Sequence, residues 1–313
     1  MIVTVTANPA IDRLVSLLEP LERGAVVRSE IAHDDPGGKG INVARVLHAA
    51  GVPVTAVLPA AADEPLLAAL VALGLDHRAV SVSGRLRVNL TLAEPEGVTT
   101  KVNSPGPRLD DAELAALTDA LAAAVGPGDW AVLSGSLPPG VPFDWYATTT
   151  RRLQQAGARV AVDTSGAALG LTVEQSSPDL MKPNSDELAE LLDCDPDEIE
   201  RDRRHAAARA HQLREDHGVG TVLLTLGGAG AVLASAEGSW FCPPAPVTVR
   251  STVGAGDSSL AGYLVAHVAG RSPAECLASA AVHGAAAAAL PGSRLPGPSD
   301  LPEAPHVETV DPA

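Results

Sequence analysis

Asp257 closes the run "TVGAGD" (252–257), with Gly254, Ala255 and Gly256 directly before it and an apolar stretch after it. A glycine-rich turn that opens a helix leaves backbone N–H groups able to hold an anion. A carboxylate in the same turn repels an anion unless it has a task of its own. Three more stretches of this character fall where strands would end: "NPAID" (8–12) offers Asp12, "DPGGKGINVA" (35–44) offers Gly38, Lys39 and Asn42, and "LSGSLPPG" (133–140) offers Ser136. Singly, each reads equally well as a steric glycine turn or an N-capping aspartate. Ligands of open α/β sheets bind beyond the carboxyl ends of the strands, so four such turns in a βα pattern point to a shared cleft.

Charge sharpens this reading. The chain of 313 residues carries a net charge of −16, which argues against nucleic acid or an anionic membrane as partner. An anionic substrate must therefore meet local positive charge. Of 22 basic residues only Lys39, Lys101 and Lys182 are lysine, and a lysine kept against an arginine bias invites a specific reason, because ammonium and guanidinium are not equivalent. Cys194, Cys242 and Cys276 form neither a paired framework nor a metal-ligand spacing, which fits a reducing cytoplasm. The opening "MIVTVTANPAID" has a strand pattern without the basic head and long apolar run of a signal peptide, and no apolar run is long enough to span a bilayer. Common fingerprints fail: there is no G-x-x-x-x-G-K-[ST], no complete G-x-G-x-x-G after the first strand, no H-E-x-x-H and no G-x-S-x-G.

These residues need elements to position them. Short β-branched runs at 2–7, 54–60, 130–135, 159–165, 179–184 and 221–227 alternate with periodic Ala/Leu-rich stretches near 40–50, 63–74, 110–125, 143–157, 185–193, 202–217, 256–269 and 273–289. That is the signature of an α/β fold with a mostly parallel sheet. One region breaks the rhythm. In "LRVNLTLA" (86–93) Leu86, Val88, Leu90 and Leu92 alternate with Arg87, Asn89 and Thr91, "EPEG" (94–97) reads as a turn, and "VTTKVN" (98–103) puts Lys101 and Asn103 on one face. Arg85 shares the face of Arg87. With strand-like runs at 13–17 and 25–33, this hairpin predicts a small sheet apart from the core, or an ordinary wet hairpin. The domain spans 1–292, with lid strands from about 12–34 and 85–104; residues 293–313, rich in Pro, Gly and acid, read as a loose tail.

The motifs "TANPAID", "GGKGINVARVL", "SGSLPPGV", "VDTSGAAL", "KPNSDEL" and "TVGAGDSSLAG", in this order from Met1 to about Gly292, resemble the ribokinase/PfkB family of sugar kinases, and within it the branch of 1-phosphofructokinases and tagatose-6-phosphate kinases. The resemblance implies a ribokinase-like three-layer αβα fold with a small β-sheet lid. It implies Asp257 as the base that takes the proton of the attacking sugar hydroxyl, with the N–H groups of Gly254, Ala255 and Gly256 as the anion hole. Asp12, Gly38 and Asn42 match contacts to the sugar, Lys39 can reach phosphate, and Ser136 matches a contact near the phosphoryl group. Arg87, Asn89 and Lys101 match lid positions that hold the phosphate of a phosphorylated sugar.

For the nucleotide, the resemblance implies Lys182 and Asn184 near the phosphates, Thr225, Gly227 and Gly230 for the ribose and phosphates of ATP, and Asn184 with Glu187 acting on Mg²⁺ through water. The last helix near His283 to Ala287, with Gly292, would line the adenine. At 2% aromatic content no stacking residue can be read for the base, and Ser259 stands where the branch often has a larger apolar residue. The substrate expected is fructose 1-phosphate, with tagatose 6-phosphate and fructose 6-phosphate as rivals. A non-catalytic sugar-phosphate sensor would need no base, and a neutral-sugar or nucleoside kinase would need no lid cations. A homodimer through the lid sheets completes the implied set.

Overall fold

The computed structural model describes residues 1–95 and 98–311. The strands are β1 (Ile2–Val5), β2 (Ala10–Leu17), β3 (Ser29–Gly37), β4 (Val54–Pro59), β5 (His77–Val80), β6 (Arg87–Ala93), β7 (Thr99–Asn103), β8 (Trp130–Ser134), β9 (Arg159–Asp163), β10 (Leu180–Met181), β11 (Thr221–Thr225), β12 (Ala231–Ser235), β13 (Gly238–Cys242) and β14 (Glu308–Thr309). The helices are α1 (Lys39–Ala49), α2 (Pro65–Ala72), α3 (Asp111–Ala122), α4 (Trp145–Gln155), α5 (Gly166–Gln175), α6 (Ser185–Leu192), α7 (Pro196–Arg201), α8 (Arg203–His217), α9 (Ala255–Val268) and α10 (Pro273–Ala289).

Ten strands form one sheet in the order β14-β13-β12-β11-β10-β9-β8-β1-β4-β5. The run from β11 to β5 is parallel and β12 to β14 are antiparallel. The parallel strands are apolar on both faces because both faces are covered. On β8, Trp130 and Val132 join one core with Ile41 of α1 and Leu260 and Leu264 of α9, while Ala131 and Leu133 join a second with Leu117 of α3 and Leu153 of α4. This is the three-layer arrangement expected. A separate four-stranded sheet, β3-β2-β6-β7, is the expected lid; the 94–97 turn falls partly outside the described residues.

The tail reads differently from its composition. After a 3₁₀ turn at Pro298–Asp300, β14 pairs antiparallel with β13 and Val310 is buried in the core beside it. An open sheet edge offers unpaired main-chain groups to any nearby strand, and one apolar side chain suffices to seat it. Arg203 adds a 2.6 Å ion pair to Glu308. The segment is docked, and the expectation of a loose tail is corrected. Helices α5 and α7, the edge strands β5 and β12 to β14 were also not read from the sequence. The sequence of α5, "GAALGLTVEQ", holds two glycines and two β-branched residues, which blur its helical signal.

Candidate active site

The carboxyl ends of the parallel strands and the inner face of the lid enclose a cleft of about 850 Å³. Its floor is the start of α9. Gly254 takes φ +73° as the N-cap, a value that favours glycine, and α9 begins at the next residue. Lys182 Nζ lies beside Gly256, 3.3 Å from where a Cβ would stand, so an ammonium reaches the helix start, where free N–H groups already favour negative charge.

Asp257, on the first turn of α9, is buried, and Asn42 Nδ2 of α1 donates to its Oδ2 at 2.8 Å. Burial pushes its carboxyl up to about 6; Asp163 adds to the rise, while Lys39, Asn42 and Lys182 oppose it. Lys39, first residue of α1, donates from Nζ to Asp163 Oδ1 at 2.8 Å, and Lys182 Nζ lies 3.4 Å from the same oxygen. Burial would lower Lys39, but Asp163, Asp257 and Glu187 outweigh it and raise the ammonium above its usual range. Asp163 is fully buried, which would raise its carboxyl, yet the two lysines hold it below the usual range.

On the lid side, Asp12 lies on β2 directly opposite Asn89 of β6, whose Nδ2 donates to Asp12 Oδ1 at 2.9 Å. Burial raises the Asp12 carboxyl against the pull of Asn89 and Arg87. Arg87 donates to the carbonyl oxygens of Asn8 and Ser104 at 3.1 and 3.2 Å. Its face continues through Asn89 and Thr91, and β7 places Lys101 across from Thr91 and Asn103 across from Asn89, all bordering the cleft. Gly38 takes φ +112° where the chain turns from β3 into α1.

At the other end, Asn184 and Glu187 form a reciprocal capping box at the start of α6, with bonds of 2.7 and 2.9 Å. The box engages Oε2 of Glu187 and both residues border the cleft. Capping and a place in the cleft lining coexist there. Thr225, Gly227 and Gly230 border the same region.

Residues 5–300 match the pfkB family carbohydrate kinases. The chain is 37% identical to the 1-phosphofructokinase of Rhodobacter capsulatus over 99% of its own length and 97% of that protein's. The chain belongs to the pfkB carbohydrate kinase family. It is 33% identical to the ATP-dependent 6-phosphofructokinase isozyme 2 of Mycobacterium tuberculosis over 93% of its length and 85% of that protein's. Its fold superimposes on the crystal structure of phosphofructokinase-2 from Escherichia coli in complex with potassium with a TM-score of 0.87, at 29% identity and 96% coverage of both chains. The pfkB chain is therefore a phosphotransferase with an alcohol group as acceptor.

The fold brings the catalytic, sugar and nucleotide-phosphate candidates read from the sequence to one cleft, with Ser136 the exception among them. Ser136 is exposed and outside the cleft lining, where its Oγ accepts from Asn8 Nδ2 at 3.3 Å. Arg85 is also elsewhere, in an exposed ion pair with Asp63 at 2.7 Å. On α10 the face that borders the cleft is Ala281, Gly284, Ala285 and Ala288, together with Gly292; His283 packs beside Gly262 of α9 and bonds to Ser279 O of its own helix at 2.7 Å, so the expectation that His283, Ala286 and Ala287 line the adenine is corrected. Sequence reading missed the opposite wall of this part of the cleft, Pro244 to Val247 and Val249. It also assigned no role to Asp163, although the "VDTS" motif that holds it was in view. Ser259 fits against Gly284, where a Cβ would lie 2.2 Å from its Oγ, so the small residue at 259 is matched by packing.

Proposed function

We propose that this kinase transfers the γ-phosphate of ATP to the 6-hydroxyl of fructose 1-phosphate. The observation that carries the reading is the inner face of the lid: Arg87, Asn89 and Lys101 border the same cleft as the buried base Asp257. Cations on that face suit a sugar that already bears a phosphate, while a neutral sugar calls for hydroxyl partners. The 37% identity to a 1-phosphofructokinase favours fructose 1-phosphate. The 33% identity to a 6-phosphofructokinase supports fructose 6-phosphate as a second reading, and tagatose 6-phosphate has the same ends.

In this mechanism Asp12 accepts a sugar hydroxyl, oriented by Asn89. Asp257, held by Asn42, accepts the proton of the 6-hydroxyl as that oxygen bonds to the γ-phosphorus. The bond from phosphorus to the bridging oxygen breaks and ADP leaves. A base near 6 is deprotonated at neutral pH and still basic enough to take the proton. Lys39, Lys182 and the N–H groups at Gly254 to Gly256 face the charge on the transferred group. The alanine face of α10 and the Pro244–Val249 wall suit the base of the nucleotide.

Magnesium fits the nucleotide end of the cleft. Among the described residues no cluster of three or more His, Cys, Asp or Glu side chains could cage it, and the capping box engages only one oxygen of Glu187. Mg²⁺ keeps several waters and phosphate ligands, so Glu187 and Asn184 would hold it by orienting its waters. Bound there, the ion would neutralise charge on the nucleotide phosphates. We place the enzyme in the cytoplasm as a homodimer paired through the lid sheets; no described helix is long and apolar enough to cross a membrane.

A coupled ADP-release assay with Mg-ATP tests the reading against fructose 1-phosphate, tagatose 6-phosphate, fructose 6-phosphate, fructose, ribose and adenosine. The expected result is turnover confined to the phosphorylated sugars with the highest kcat/KM on fructose 1-phosphate. A higher value on fructose 6-phosphate would establish the second reading. Turnover on a neutral sugar alone would overturn the assignment of the lid cations, and silence on every compound would overturn the kinase mechanism for these substrates.

A further inference from the structure

We propose that Asp163 is a positioning residue for phosphoryl transfer: one buried carboxylate at the end of β9 gathers the ammonium groups of Lys39 and Lys182 into a single doubly charged seat for the transferred phosphoryl group. The inference deepens the reading above and rests on it.

The two lysines come from different parts of the chain. Lys39 opens α1 on the sugar side, whereas Lys182 follows β10 on the nucleotide side. Both meet Asp163 Oδ1, at 2.8 and 3.4 Å. The other oxygen, Oδ2, is buried and has no partner among the described residues. A carboxylate that merely neutralised two cations would offer an oxygen to each. Here one oxygen serves both, so the two nitrogens converge, and Lys182 Nζ lies beside the start of α9 at Gly256. Each ammonium has three N–H groups; Lys39 donates one to Asp163, and its others, with those of Lys182, are left for phosphate oxygens.

The residue type follows. Arginine's planar fork binds a carboxylate through two oxygens, and one such fork would occupy the whole of Asp163. Two compact ammonium groups can share one oxygen, which explains why two of the chain's three lysines are found here in an arginine-biased sequence. The support is firm. Gly135 N donates to Asp163 O at 2.9 Å, and the Gly135 carbonyl accepts from Tyr146 OH at 3.0 Å and Thr164 Oγ1 at 2.9 Å. The main chain of Asp163 is thus tied to the residue that follows β8, whose carbonyl is held in turn by α4 and Thr164, and the lysines take their place from a carboxylate set on that backbone.

The experiment is Asp163→Asn, measured by steady-state kinetics, by the pH dependence of kcat, and by calorimetric titration with ATP without Mg²⁺. The charged and hydrogen-bonding groups around Asp257 are Lys39 and Asn42 from α1, Asp163 from β9 and Lys182 after β10. The neighbouring α10 presents Gly284 to Ser259, and its His283 faces Gly262 further along. Loss of the Asp163 charge therefore moves the acid limb of kcat to lower pH. We expect kcat to fall about 10²-fold, the acid limb to move down, the ATP Kd to weaken, and the half-saturating Mg²⁺ concentration to stay within about 2-fold. An unmoved acid limb with unchanged ATP affinity overturns the proposal. So does a raised Mg²⁺ requirement with an unmoved limb, which would assign Asp163 to the metal instead.

If Asp163→Asn alone does not fold, Asp163→Asn/Lys182→Met restores the charge balance and is expected to fold; failure of that variant too overturns the brace. In a Lys39→Met background Asp163→Asn should add far less to the loss than it does alone, and full additivity also counts against it. The function itself is judged separately, on the wild-type turnover. A wild-type protein that is inactive on every sugar but still loses ATP affinity on Asp163→Asn would refute the substrate reading and leave the seat standing.

Discussion

Asp257 and Asp163 are both buried carboxylates in one cluster, yet their carboxyls move in opposite directions. Asp163 has two ammonium partners; Asp257 has a neutral amide and stands near a like charge. Environment separates an ionised anchor from a carboxyl raised towards neutrality, the one proposed as base. The price falls on stability. A carboxyl raised to about 6 in the fold contributes stability fully present below its unfolded value and lost as pH rises through the folded one. Asp257→Asn should thus reduce kcat by about 10³-fold or more while retaining ATP binding. It should also melt a few degrees higher than the wild type at pH 8, an advantage that vanishes towards pH 4. Thermal melts at the two pH values, with the wild-type kcat rising through pH 6, check both signs; a variant that melts lower at pH 8 would contradict the account. Asp257 was legible because its glycines needed a reason. Asp163 was not, since "VDTS" at a strand end carries no local mark of the two lysines that reach it from 124 and 19 residues away.

At the scale of elements, the period of a side chain decided what could be read. Strict alternation in β6 put Arg87, Asn89 and Thr91 on the cleft face, as its spacing of two requires. Arg85 shows where alternation stops being informative, because it precedes the strand, which begins at Arg87, and pairs with Asp63. On α10 the small residues are too uniform for sequence to choose a face, and the cleft takes Ala281, Gly284, Ala285 and Ala288, the spacing of one helical stripe. His283 is on another face. The lid assignment makes a paired prediction. Arg87→Ala should raise the KM for the phosphorylated sugar by ~10-fold or more with the KM for ATP little changed, since a charged hydrogen bond contributes about 1.5–3 kcal/mol. Arg85→Ala, which removes an exposed ion pair, should leave both KM values within ~2-fold. Equal effects from the two substitutions would remove the lid from phosphate recognition.

At the scale of the whole molecule, the parallel core was legible because strands covered on both sides must be apolar throughout, and the helices between them are long. The antiparallel edge was not, because β14 owes its place to an open edge on β13, which lies 67 residues earlier at its nearest pair, Phe241 with Glu308. The lid raises the matching question of cover. Its inner face meets the cleft, but on the other face Val88 and Val102 are 36% and 54% exposed, and a sheet with an apolar outer face calls for a partner. A second copy of the chain is the partner proposed, each lid covering the other and stiffening the strands that carry Asp12, Arg87 and Lys101. Light scattering on the eluting protein should then give twice the chain mass of 31.7 kDa. Val88→Asp/Val102→Asp should give the single chain mass, because two carboxylates per copy would be buried without partners. It should also raise the KM for the sugar phosphate, since the lid would lose its support, while ATP affinity persists. A wild type at the single chain mass would refute the pairing. A dimeric double variant would move the interface away from this face, and a monomeric one with unchanged KM would separate pairing from substrate binding.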